Sequence, residues 1–183
     1  MSHKDYFLLT AFGKDRPGIV AGVSHVLFNL AGNIEDASMT RLGGEFAMML
    51  VAALPPGLSI LKIEKSFRSL EKKLGLQISV KPIPAAMARR SKAEPPKYLI
   101  SVYGTDHPGI VHQVTQALAN RKVSITDLQT QVIGNAQKPV YIMLLELQVP
   151  ASLDMEGLRA ELDQLRHDLK VEISLQDIEA VAL

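Results

Sequence analysis

The chain has 183 residues, 47% of them hydrophobic, enough for two small packed cores or one of medium size. With 20 basic against 19 acidic residues, the formal charge of +1 supplies no global field toward nucleic acid or an anionic membrane, so direct DNA binding is not expected. Zero cysteines exclude disulfides, thiolate metal sites and thiol nucleophiles. No apolar run attains the roughly 18 residues of a membrane span, so a cytoplasmic location away from the membrane is expected.

A strand pattern over residues 6–12 leads into Asp15-Arg16-Pro17-Gly18-Ile19-Val20. The same turn returns as Asp106-His107-Pro108-Gly109-Ile110-Val111 after a second strand pattern over 98–103. In each copy the motif joins a strand to a helix. Proline suits the first helical position, and the glycine after it keeps side-chain bulk away from the unpaired N–H groups of the helix start. Those N–H groups and the positive end of the macrodipole favour an anion such as a carboxylate. One Pro-Gly pair alone would read as a plain turn; two in matching contexts point to a site.

The helix after the first motif carries Ile19, Val23, Val26, Leu27 and Leu30 at helical spacing, matched after the second by Ile110, Val114, Ala117 and Leu118. The offset between the copies is 91 residues, Gly13 to Gly104, and it also pairs Ile34 with Ile125 and Asp36 with Asp127. The chain is therefore an internal duplication. Strands over 34–42 and 45–54 meet across Gly43-Gly44, a two-residue hairpin signal. Their counterparts over 125–133 and 140–149 have a longer connection, which moves the offset to 95, Phe46 to Tyr141. At that offset Ile60, Ile63, Phe67, Leu70 and Leu74 match Met155, Leu158, Leu162, Leu165 and Leu169 as a second helix. A last strand closes each copy, through Leu76, Ile78 and Val80 and through Val171, Ile173 and Leu175.

The order strand, helix, strand, strand, helix, strand, twice over, predicts an α+β chain of two ferredoxin-like βαββαβ repeats. Each is an antiparallel four-stranded sheet with both helices on one face. Residues 46–51 are apolar on both strand faces, so a cover for the second sheet face is expected from the other repeat or another chain. Residues 83–96 read as a linker rich in proline, and its Arg89, Arg90 and Lys92 as solvated charges. The repeats then occupy 1–82 and 97–183.

These motifs resemble the ACT domain, a ferredoxin-like amino-acid-sensing module whose first loop and helix carry Asp-x-Pro-Gly-Ile/Val. The resemblance spans nearly the whole chain. The runs Gly32-Asn33-Ile34-Glu35-Asp36 and Leu42-Gly43-Gly44-Glu45-Phe46 narrow it to stand-alone ACT pairs. It implies an amino-acid-sensing transcriptional regulator, with glycine as the first candidate ligand. Such a regulator acts by contacting a DNA-bound activator protein. The alternative it implies is a regulatory subunit for a separate enzyme of amino-acid or one-carbon metabolism. In ligand-binding members the amino acid sits where the loop and helix start of one module meet a neighbouring module. Carried over by position, that assigns ligand binding to Asp15, Arg16, Gly18, Ile19 and Asn33, and in the second repeat to Asp106, His107, Gly109, Ile110 and Ser124.

Asp15 and Asp106 suit an ammonium group, or else serve the turn and helix start as caps. His107 is either a pH-responsive group or an exposed loop residue. Retention of both Asp15 and Asn33 makes the first repeat the preferred site. With no nucleophile elbow, no phosphate-cradling glycine run and no close histidine pair, neither an enzyme, a cofactor nor a metal is expected. Sticky antiparallel edges with few charges predict a homodimer.

Overall fold

The computed structural model describes residues 4–88, 98–135 and 138–178. The chain divides into two compact units, Met1–Arg90 and Ser91–Leu183. In the first, β1 (Asp5–Lys14), α1 (Ile19–Asn29), β2 (Asn33–Leu42), β3 (Glu45–Leu54), α2 (Ile60–Leu74) and β4 (Leu76–Ile83) form the expected sequence of elements. A helical turn, α3 (Ala85–Ala88), follows inside the predicted linker. Arg89, Arg90 and Lys92 lie outside the described residues. The second unit repeats the order with β5 (Tyr98–Thr105), α4 (Ile110–Asn120), β6 (Ser124–Asn135), β7 (Lys138–Gln148), α5 (Met155–Leu169) and β8 (Val171–Asp177).

The sheets run β2-β3-β1-β4 and β6-β7-β5-β8, antiparallel at every pairing, so the duplicated ferredoxin-like fold is as the sequence predicts. Strand alternation selects one face for each core. Phe7, Leu9 and Ala11 of β1 and Phe46, Met48 and Leu50 of β3 pack under Ile19, Val23 and Leu27 of α1 and under Ile63 and Phe67 of α2. In the second unit Ile100, Val102, Met143 and Leu145 do the same under Ile110, Val114, Leu118, Leu158 and Leu162. Both helices of a unit thus share one sheet face.

The opposite face of the first sheet carries Phe12 and Met49, 51% and 52% exposed. These side chains border an open apolar groove of about 390 Å³ with Thr10, Ser38, Thr40 and Ala47. The edge strands β2 and β6 are exposed along their whole length. Both break register at the same place, between Ile34 and Asp36 and between Ile125 and Asp127, so the irregularity too is duplicated.

The helix ends show where the copies diverge. Gly75 closes α2 in the left-handed region at φ 69°, as a glycine after a helix should, whereas Lys170 takes that position after α5 at φ 53°. Ser59 and Asp154 cap the starts of α2 and α5, accepting from the N–H groups of Lys62 and Gly157.

Candidate functional site

The Pro-Gly motif differs from the sequence expectation in one respect. Helix α1 begins at Ile19 with Gly18 as its N-cap, so Pro17 lies before the helix instead of at its first position. Gly18 has φ 93° and ψ 0°, the third position of a type II turn, for which proline is favoured at the second. Gly109 repeats this at φ 105° before α4, with Pro108 preceding it. The motif is a turn delivering the chain into the helix, and the glycine is required by its backbone angle. A Cβ on Gly18 would meet nothing within 4 Å, so the space over the helix start is open.

Among the described residues neither Asp15 nor Asp106 caps its helix: Gly18 and Gly109 hold the N-cap positions, and no side-chain cap hydrogen bond is formed at α1 or α4. Asp15 is instead tied to the β2–β3 hairpin. Its N–H donates to the Gly44 carbonyl at 2.9 Å, and its Oδ2 lies 3.0 Å from Nε of Arg41. Arg16 is exposed beside it. In the second repeat Asp106 is exposed and His107 is the anchored residue. Its Nε2 lies 2.7 Å from the Leu169 carbonyl at the end of α5, and its Nδ1 lies 3.1 Å from the Pro108 carbonyl. Carbonyls only accept, so serving both requires a proton on each ring nitrogen. The bond to Leu169, then that to Pro108, raises the imidazole pKa above its usual 6.5; desolvation opposes this, and the Asp106 charge adds to it.

Ile19 and Ile110 are buried and anchor the helix starts, so only their backbone faces the loop. Asn33 stands at the first residue of β2 and Arg41 eight residues on, a span of about 25 Å at the usual strand rise. The structure therefore brings Asp15, Arg16, Gly18 and Ile19 together on one loop and places Asn33 at the far end of the edge strand. Asn33 instead borders an open groove of about 550 Å³ along α1, with Ser24, His25 and the 75%-exposed Phe28. Ser124 holds the matching position at the start of β6. Within one unit Asn33 therefore does not border the loop.

Sequence reasoning missed Arg41 and Leu169, which tie the loops to the β2–β3 hairpin and to the end of α5. Among the described residues no group of three or more histidine, aspartate or glutamate side chains is arranged to hold a metal ion.

A family model of the ACT domain matches residues 5–81 and 97–176, one match per unit. The chain belongs to the ACT-domain family. The glycine cleavage system transcriptional repressor of Escherichia coli is 25% identical over 178 residues, covering 96% of this chain and 91% of that protein. The UPF0237 protein MK1213 of Methanopyrus kandleri is 42% identical over 74 residues, 82% of its own length and 40% of this one, a single module's worth. The solved structure of an unknown protein from Galdieria sulphuraria superimposes with a TM-score of 0.79 at 27% identity, covering 97% of this ACT pair and all of its own chain. The relatives thus include proteins of about this length and a protein the length of one module. No helix among the described residues of this ACT pair is long and apolar enough to cross a membrane.

Proposed function

We propose that this ACT pair is an amino-acid-responsive regulator of transcription that acts through protein contacts, with glycine cleavage genes as its target. One observation carries the reading: the resemblance to the E. coli repressor runs through both modules and 96% of this chain, not through a lone module shared by many proteins. The effector is a small amino acid, glycine first. The partner is a DNA-bound activator, in keeping with a net charge of +1 that gives no electrostatic footprint for DNA.

The ligand site consists of a loop and helix start, Asp15, Arg16, Gly18 and Ile19 or their counterparts Asp106, His107, Gly109 and Ile110. Asn33 or Ser124 of a neighbouring module completes it. The backbone N–H groups at the helix start take the carboxylate and a loop aspartate takes the ammonium.

Two measurements test this reading. Specific binding to the folded state raises the unfolding midpoint by mass action, so a panel of amino acids should yield at least one that does so. Affinity purification of the full chain from its own cells should recover a transcription factor. Recovery of an enzyme of amino-acid or one-carbon metabolism instead would replace the regulator of transcription with a regulatory subunit of that enzyme.

A further inference from the structure

Each sheet ends on the strand that follows its second helix, and these two edges differ: β4 is closed to a further strand and β8 is open. Ile78 faces Ala11 in the first sheet and Ile173 faces Val102 in the second, the same place in the two repeats. In β4 the outward N–H of Ile78 donates to Oε1 of Glu71 on α2 at 2.9 Å. Outward groups recur at every second residue of an antiparallel strand, so Pro82 also faces outward, and it has no N–H to offer. Both features blunt the edge against pairing with another chain.

Strand β8 has neither. Arg166 stands where the first repeat has Glu71, and Asp177 where it has Pro82. A guanidinium cannot accept a hydrogen bond, and Arg166 is turned toward Asp163 and Glu172, each at 3.8 Å. No side chain takes the Ile173 N–H among the described residues. An open groove of about 300 Å³ lies between this edge and α5, bordered by Arg159, Asp163, Ile173, Ser174 and Leu175. The outward Leu175 carbonyl accepts from Nη1 of Arg159 at 3.4 Å, a long bond that an incoming N–H can replace.

We infer that β8 pairs antiparallel with β8 of a second copy of this chain, about a two-fold axis at Ser174. Charge selects the occupant and the register. Helix α5 and β8 run in opposite directions through the turn at Lys170. Arg159 is level with Leu175, to which it donates. One helical turn on, a rise of about 6 Å, Asp163 is level with Ile173, two strand residues back. The two-fold sets Ile173 against Leu175 of the other copy, and with them Asp163 against Arg159, twice over. A foreign strand of either charge would meet one attractive group and one repulsive group. The Asp163 side chain is 65% exposed and its contact with Arg166 is long, so it can take a second cation. Such charges set register more than affinity, and two short strands bury little area, so the pairing belongs to solutions more concentrated than micromolar.

The chain has no cysteine, so a single introduced thiol reports the pairing. Ser174 and its own copy form a non-hydrogen-bonded pair, with Cα atoms about 4.5 Å apart and within disulfide reach. The full chain carrying Ser174→Cys, at millimolar concentration with a mild oxidant, should give a two-chain band on a non-reducing denaturing gel. Gln176→Cys, on the same strand face but about 13 Å from its own copy, should not. Ser79→Cys, the matching place on β4, should not either. Adding Arg159→Asp or, in a separate chain, Asp163→Arg to Ser174→Cys should cut the band several-fold. Mixing those two chains should restore it, because every charge then meets its opposite. The thiol reports β8 alone, so association through β2 does not enter the readout, and circular dichroism checks each fold. No band from Ser174→Cys, or an equal band from Gln176→Cys or Ser79→Cys, overturns the pairing. Failure of the mixture to restore the band overturns the register.

Discussion

His107 bridges two elements of the second repeat: its Nε2 lies 2.7 Å from the carbonyl oxygen of Leu169, which joins the ligand-loop candidate to the last turn of α5. That carbonyl sits at the negative end of the helix macrodipole, which adds to the attraction for a protonated ring. The first repeat has no equivalent, because Arg16 at the same motif position is exposed.

The consequence is a pH dependence confined to one repeat. The folded pKa of His107 is raised, chiefly by the Leu169 carbonyl, so protons are bound more tightly in the folded state. Its contribution to stability is full below the unfolded value of about 6.5 and is lost as pH rises through the folded pKa. His107→Gln should therefore lower the unfolding midpoint at pH 5.5 and have a smaller effect at pH 8.5. An NMR titration placing the His107 imidazole pKa below 6.5 would refute this account.

At Gly18 the demand is conformational. With φ 93° and no atom within 4 Å of a would-be Cβ, substitution strains the backbone without a clash. Gly18→Ala should cost about 1–2 kcal/mol in urea unfolding, the usual left-handed penalty for an L-residue, and Gly18→Asn less. Valine there would be strained as well as bulky, so Gly18→Asn is the better variant for probing ligand access. Equal stability of the alanine variant and the unaltered chain would show that the turn relaxes.

Edge strands this open should associate. Every residue of β2 is exposed, including Met39 at 50% and Leu42 at 79%, and the strand's outer backbone edge has no neighbour in its sheet. Sedimentation at micromolar concentration should reveal a dimer, and Met39→Lys should shift it toward the 20.0 kDa monomer. A single 20.0 kDa species at all concentrations would remove the edge as an interface.

Much of the fold was legible because the duplication printed it twice. The helix stripes from Ile60 to Leu74 and from Met155 to Leu169 match position for position, and Gly43-Gly44, with φ of 58° and 84°, makes the tight turn the dipeptide suggests. The candidate loops were legible as positions but not as interactions. Asp15 looks like a cap when only its distance from Pro17 is visible. Its true partner comes from the β2–β3 hairpin, through a register in which Lys14 faces Glu45 and the next residue meets Gly44. Strand order decides that contact, and strand order is a tertiary fact. The Leu169 carbonyl was less accessible still, since a backbone atom has no sequence signal.

Where Gly75 closes α2 in its preferred conformation, Lys170 closes α5 at φ 53° with a side chain that disfavours it. The second copy thus holds a small reserve of unspent stability, already solved by its twin. Lys170→Gly should release it, raising the unfolding midpoint of the second unit by the equivalent of up to about 1 kcal/mol. The same substitution stands next to Leu169, so it also asks whether the closure's left-handed residue helps aim the carbonyl that His107 grips.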